Sequence, residues 1–222
     1  MKKFSIILSS ILLIVMLTTF NPSNFYSGLQ FFKIKKIEVK NIVILDSIKI
    51  KNLFIEEFYE SNLLILNKEK IDKILRENEL IEYIEFRKIY PSKLVVKIFE
   101  KKTIAIINYK QNKFFLTNNG EEIEFFRNPS LEKLPNIFGK QKNFLEIYSA
   151  LQELDFPISK IKSFYYFDIG RWDIMLKNKK VIKLPVKNFT SSLKNFLDLS
   201  KENNFEKYSI FDYRIKDQLI LN

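Results

Sequence analysis

Two lysines, Lys2 and Lys3, precede an apolar run over residues 4–20 that only Ser5, Ser9, Ser10, Thr18 and Thr19 interrupt, and Asn21-Pro22 ends it. A run of 17 residues is the lower limit of what crosses a hydrocarbon core of roughly 30 Å when each helical residue rises ~1.5 Å. The pattern predicts an uncleaved single-pass transmembrane helix over residues 4–20, with residues 1–3 as a short cytoplasmic tail. A cleaved signal peptide is the competing reading, and no small-residue A-x-A site follows the run. Lys2 and Lys3 favour a cytoplasmic amino terminus. Lys33, Lys35 and Lys36 lie beyond the run, but long domains translocate largely regardless of charge. The bulk of the chain is therefore expected outside the cytoplasm.

What the chain lacks narrows its chemistry. Among 222 residues there is no cysteine and no histidine, which removes disulfides, thiolate and imidazole metal sites, and every Ser-His or Cys-His catalytic arrangement. The four glycines, Gly28, Gly120, Gly139 and Gly170, have no dinucleotide-binding or phosphate-loop spacing. No cofactor is expected. Adjacent carboxylates occur at Glu56-Glu57 and Glu121-Glu122, yet neither pair sits in an aromatic, glycine-lined setting of the kind a glycan cleft needs. The reading is non-enzymatic. Basic residues outnumber acidic ones 37 to 26, a net charge of +11, but few of the bases are arginine, the residue suited to bidentate phosphate or guanine readout. A solvated lysine-rich surface explains the charge better than nucleic acid does.

Periodicity divides the rest. Residues 21–31 read as a linker. Phe32, Ile34, Ile37 and Val39 alternate with lysine and glutamate, with one slip, as a strand does. Asp46 is placed to cap a helix running to about residue 59, with Ile48, Leu53, Ile55 and Phe58 as its candidate core face. Asn67 is placed to cap a second, with Ile71, Ile74 and Leu75 inward. Strands over 83–89 and 94–99 flank Tyr90-Pro91-Ser92. Strand, helix, helix, strand, strand predicts a small sheet with two helices on one face. Strands at 104–109, 114–117 and 123–126 follow, separated by Gln111-Asn112 and Asn119-Gly120 turns. Residues 128–136 read as a loop. Phe144, Ile147, Tyr148 and Leu151 mark a helix, strands return at 161–168, 173–176 and 181–184, a helix covers about 189–203, and strands close the chain at 208–215 and 219–221.

Several phrases, in this order, resemble the bacterial cell-division family FtsQ/DivIB. Residues 32–39 resemble the first strand of its POTRA module, and Asn62-Leu63-Leu64-Ile65-Leu66-Asn67 the approach to that module's second helix. The stretch 84–100 resembles its arginine-bearing strand, aromatic-proline turn and strand ending in an acid-base pair, here Glu100-Lys101. Arg171-Trp172-Asp173 and Phe211-Asp212-Tyr213-Arg214 resemble phrases of the family's β domain. The resemblance implies an α+β chain: an N-terminal transmembrane helix, a POTRA-like βααββ domain over 32–101, and a larger, mostly antiparallel β domain with two or more helices over 102–222. It implies a bitopic inner-membrane division scaffold at the septum, its periplasmic part binding FtsB- and FtsL-type partners and linking early components to septal wall synthases. No nucleic acid and no small-molecule substrate are implied. A POTRA-bearing adaptor for export or outer-membrane assembly is the alternative, although the roughly 120 residues after Lys102, interrupted by two helices, are too few for a typical barrel.

The physical route to a partner is read from the last strands. Phe211, Tyr213 and Ile215 alternate with Asp212, Arg214 and Lys216, which gives one apolar and one charged face. A final strand with a free edge offers unpaired N–H and C=O groups to a segment that adds itself as another strand. The candidate partner-binding residues are Trp172, Tyr213, Arg214, Ile215, Lys216, Gln218, Leu219, Ile220 and Leu221. Phe211, Tyr213 and Ile215 also fit a core role, which leaves residues 216–221 as the better pairing edge, with an N–H needed at Ile220. Trp172, the only tryptophan, reads either as an interface anchor or as core filling. Arg171 and Arg214 read either as contacts to partner carboxylates or as surface ion pairs.

Overall fold

The computed structural model describes residues 2–19, 30–140, 142–216 and 218–222, with side chains from residue 6 to 15 in the first helix. Most of the expected linker, residues 21–29, and the first residue of the tail lie outside that set. Helix α1 (Lys2–Thr19) has 18 residues, so it extends about 27 Å. Among the described residues no helix is long and apolar enough to cross a membrane. The large apolar side chains of α1, Ile6 and Leu12 among them, are nonetheless exposed.

The chain divides into two compact units, Met1–Glu100 and Lys101–Asn222. In the first, β1 (Lys36–Lys40), α2 (Ser47–Phe58), α3 (Lys68–Glu77), β2 (Ile81–Ile89) and β3 (Lys93–Glu100) give the expected order. The sheet runs β1-β3-β2, with β1 parallel and β2 antiparallel to β3. Asp46 caps α2 by accepting from the Ile48 and Lys49 amides, and Asn67 caps α3 through the Glu69 amide, which satisfies donors that a helix start leaves orphaned. The buried face of α2 is Ile50, Phe54 and Phe58. Ile48, expected inward, is 72% exposed: an i, i+4, i+8 stripe starting at Ile50 turns position 48 outward. The first strand is also shorter than its alternation predicts. The backbone of Phe32 and Ile34 bonds to residues 60, 61 and 63, and the chain joins the sheet only after Lys35 and Lys36 donate to the Ser92 carbonyl. The slip in the pattern marks that change of partner.

Glu100 closes this unit. Its carboxylate accepts from the backbone amides of Val43, Ile44 and Leu45, so one side chain at the end of β3 satisfies a turn more than fifty residues earlier. Charge-assisted bonds of this kind exceed neutral ones. Glu100→Ala is expected to destabilise the unit by about 2–3 kcal/mol, read as a drop in the denaturant midpoint. Glu38 on β1 behaves differently. Hydrogen bonds from Lys93 and Lys40 hold its carboxyl down to about 2. A depressed carboxyl lends stability that is complete above its usual value of 4.5 and fades as the pH falls toward about 2. A carbon-detected titration of Glu38 is expected to show this low midpoint, and Lys93→Met to return it toward the ordinary range.

The second unit holds one open nine-stranded sheet, ordered β12-β11-β10-β9-β8-β7-β4-β5-β6. Its strands are β4 (Thr103–Tyr109), β5 (Asn112–Thr117), β6 (Glu122–Glu124), β7 (Asn136–Phe138), β8 (Ile161–Phe167), β9 (Arg171–Leu176), β10 (Val181–Lys183), β11 (Ile210–Asp212) and β12 (Ile220–Leu221). Helices α4 (Phe144–Glu153) and α5 (Phe189–Leu199) pack on one face. The core of that face joins Phe144, Ile147, Tyr148 and Leu151 of α4 and Leu193 and Phe196 of α5 to Ile107, Ile137, Phe164, Ile174, Ile182 and Phe211 of the sheet. Pairing is mostly antiparallel, but β7 runs parallel to both β4 and β8, and β10 parallel to β11. Strand β7 begins at the last residue of the expected loop and continues through residues to which the sequence pattern assigns no element. Three residues between Pro135 and Gly139 carry no readable period, and only neighbours on both sides make them a strand. Gly139 is required there: at φ +94°, an added Cβ would lie 2.9 Å from the Tyr166 carbonyl oxygen.

Candidate partner-binding edge

One end of the nine-stranded sheet is β6, where Glu122 and Glu124 are exposed on either side of buried Ile123, a charged guard of the kind that discourages pairing. The other end is β12. The margin of β11 is therefore covered by the chain's own backbone, contrary to a free edge on the strand expected over 208–215. Among the described residues, the margin that no other strand covers is that of β12, after Lys216.

The register decides which groups that margin offers. Ile210 and Asn222 exchange both backbone bonds, at 2.9 and 3.1 Å, and Phe211 faces Leu221 while Asp212 faces Ile220. Antiparallel ladders alternate hydrogen-bonded and non-bonded pairs, so Leu221 is in a non-bonded pair and turns its N–H and C=O away from β11. Ile220 turns its own toward β11. The outward N–H thus sits at Leu221 and not at Ile220, where sequence reading placed it. The side chains follow the same alternation: Leu221 packs against the core cluster, whereas Ile220 lies on the opposite face, 42% exposed.

A recess of about 390 Å³ adjoins this segment, lined by Asn188, Ser192 and Asn195 near α5 and by Tyr213, Ile215 and Leu219. Ile215 is half-exposed, Lys216 and Gln218 are exposed, and Leu219 rests partly on the core. Tyr213 is buried, its hydroxyl donating to the Asn195 side-chain oxygen at 3.0 Å, and burial raises its pKa. It shapes one wall and presents little surface. Trp172 is buried too, at 5% exposure, with ring centroids 5.6 Å from Phe144 and 5.0 Å from Tyr166. As an interface anchor it is misplaced: its position on β9 faces α4, so it fills the core.

The face opposite the helices carries charge. Cross-strand neighbours run Tyr165, Asp173, Lys183, Asp212 and Ile220 across β8 to β12. Arg214 makes a fork on Asp212, its Nε donating at 2.8 and 3.0 Å to the two carboxylate oxygens. That pairing lowers the Asp212 pKa and leaves Arg214 less free to seek other carboxylates. Lys183 lies 3.9 Å from Asp212, and Arg171 lies 3.2 Å from Asp173 without a hydrogen bond between them. Desolvation pushes the Asp173 carboxyl up, against the pull of Arg171. Three cations against two carboxylates leave this margin net positive.

Lys180 is a residue that sequence reading passed over. It is 4% exposed, yet its ammonium donates to the carbonyls of Phe205 and Tyr208 at 3.1 and 2.6 Å and sits 4.6 Å from the Phe205 ring centroid. It pins the turn that delivers the chain to β11. A lysine beside another in Lys179-Lys180 gives no local sign of burial.

Comparison with known proteins supplies the family. A POTRA domain model of FtsQ type matches residues 32–101, and the model of the C-terminal domain of cell division protein FtsQ/DivIB matches residues 105–214. The chain belongs to the FtsQ/DivIB family. It is similar to cell division protein FtsQ of Rickettsia bellii, 30% identical over 165 residues that cover 71% of this chain and 60% of that protein. It is 23% identical to FtsQ of Rhizobium meliloti over 165 residues, 71% of this chain and 52% of that one. The chain spans about 60% of the length of the first of these relatives. A structure of the major extracytoplasmic domain of DivIB from Geobacillus stearothermophilus is similar at a TM-score of 0.33 and 17% identity, over 43% of this chain and 87% of that one. The family match stops at residue 214, so the case for Ile215 to Leu221 rests on geometry alone.

Proposed function

We propose that this FtsQ/DivIB chain is a membrane-anchored division scaffold that captures a partner by strand addition along β12, and that it is not an enzyme. The observation that carries this is the outward N–H and C=O of Leu221 on a margin only two residues long. A short edge resists indiscriminate aggregation and gains length when a partner segment pairs with it. Main-chain bonds supply affinity. Ile215 and Leu219 in the recess, Ile220 on the opposite face and the positive row next to it supply selection, favouring an extended segment with an acidic residue on the charged face and apolar ones on the other. Arg214 contributes chiefly by holding Asp212, Lys216 and Gln218 by lining the approach, and Tyr213 and Trp172 by keeping the platform rigid. FtsB- and FtsL-type bitopic division proteins fit that description as partners.

The anchor in this reading is α1. Its exposed apolar side chains from Ile6 to Val15 seek hydrocarbon, and a helix a few ångströms short is accommodated by local thinning of the bilayer. The amino terminus then lies in the cytoplasm, while the β-sheet part of the first unit, from β1 onward, and the second unit lie in the periplasm, at the inner membrane. The test is affinity capture by the full chain in detergent from membranes of dividing cells, with a fluorescent fusion followed in parallel. Recovery of small bitopic division proteins and fluorescence gathered at midcell are expected. Uniform rim fluorescence with no such proteins recovered would overturn the reading.

A further inference from the structure

Strand β2 is the outer strand of the three-stranded sheet, and among the described residues nothing pairs with its other side. It is long for an edge, nine residues, and reads Ile-Glu-Tyr-Ile-Glu-Phe-Arg-Lys-Ile. Long edges are usually broken by charge or covered. Here the charges are ordered so that the strand complements itself when reversed. Setting two copies antiparallel about Glu85 places Glu82 opposite Lys88, Tyr83 opposite Arg87 and Ile84 opposite Phe86, each twice. A parallel pairing in register would put every charge on its like.

We propose that the β2 edge is a homodimer surface, two copies of the chain pairing antiparallel about a two-fold axis through Glu85. The side chains support that register. Ile84 and Phe86 are partly buried against the core of their own unit, so the pairing would carry that apolar face from one copy into the next. Tyr83 is 45% exposed and stacked flat on Phe99, centroids 4.2 Å apart, which fixes its ring for the guanidinium of the second copy's Arg87, a cation–π contact. Glu82 is exposed beside the bulge between Ile81 and Tyr83. Lys88 donates to the Leu64 carbonyl at 2.7 Å, which leaves two of its three donors for a carboxylate. The single mismatch is on the axis, Glu85 against Glu85, and each has Lys97 within 3.8 Å. A two-fold pairing of this type closes on itself and does not propagate into fibres.

The absence of cysteine makes the test direct. In the full chain in detergent, Glu85→Cys is expected to form a disulfide-linked dimer under mild oxidation. Tyr83→Cys alone is not, because the two copies of position 83 lie four residues apart along the pair, roughly 14 Å. A mixture of Tyr83→Cys chains with Arg87→Cys chains is expected to cross-link. Sedimentation adds a readout that loss of folding does not mimic: Glu85→Gln, which relieves the axial repulsion, is expected to tighten the dimer about threefold to tenfold, and Arg87→Glu to weaken it about tenfold. Partner capture at β12 is expected to be unchanged in both. Equal cross-linking of Glu85→Cys and Tyr83→Cys, no response to Glu85→Gln, or Glu85→Cys linking in membranes to a different protein in place of itself would each overturn the proposal.

Discussion

Leu221→Pro is expected to lower partner capture by about tenfold to a hundredfold while the second unit stays folded. Proline removes the one N–H that β12 turns outward and places a ring where the added strand must approach. The loss of a main-chain bond together with exclusion of its neighbours is worth about 1.5–3 kcal/mol, which sets the range. Leu221→Ala separates the two roles of this position. It removes the side chain that packs against the core cluster but keeps the N–H, so it is expected to cost stability and to leave most of the binding. Ile220→Pro gives the opposite pattern, because its N–H faces β11: it is expected to detach β12 and lower the thermal midpoint as well as the binding. Capture by immobilised partner, read beside circular dichroism, distinguishes the three. If Leu221→Pro bound as well as the unaltered chain, the contact surface would lie elsewhere, and the charged row from Arg171 to Arg214 would be the next place to look.

The second large effect concerns Lys180. Lys180→Met is expected to destabilise the second unit by about 2–4 kcal/mol, since the carbonyls of Phe205 and Tyr208 lose a donor in a buried place while methionine keeps most of the packing volume. The damage is expected first in the turn Phe205–Lys207 and in β11, which Ser209, Ile210 and Asn222 bind to β12 through the backbone. Hydrogen exchange is therefore expected to rise over residues 205–212 and at 222 before it rises in α4. A uniform rise across the unit would instead make Lys180 part of the global core. Because β12 depends on β11 for its place, binding is expected to fall in step with stability in this variant, whereas in Leu221→Pro it falls by much more than the lost side chain accounts for, as Leu221→Ala measures.

Much of the architecture is legible in the residues, and the failures have physical causes. Asp46 and Asn67 are caps because their side chains reach amides two and three positions on, a local matter that sequence states outright. The helix face of α4 is equally local: Phe144, Ile147, Tyr148 and Leu151 are spaced for one side and all four are buried. The turn at Gly120 similarly follows from side-chain chemistry near the bend, whereas the first turn falls on Lys110-Gln111 and Asn112, expected in it, opens β5. Ile48 shows the limit. Its hydrophobicity does not say which of two overlapping stripes faces the sheet, and Phe54 and Phe58 outweigh it.

Three features depended on residues far apart in the chain, and no local pattern contains them. Strand β7 exists because β4 and β8 flank it. Glu100 and Lys180 serve as pins because backbone amides or carbonyls from distant segments converge on them; their sequence neighbours look like ordinary surface. The same holds for the margin at β12. The amino acids alone determined that the chain ends in alternating apolar and charged residues suited to a strand. Which strand is outermost, and which of its amides is left unbonded, is fixed by register, a relation between two segments, and so became definite only when Ile210 and Asn222 were found paired.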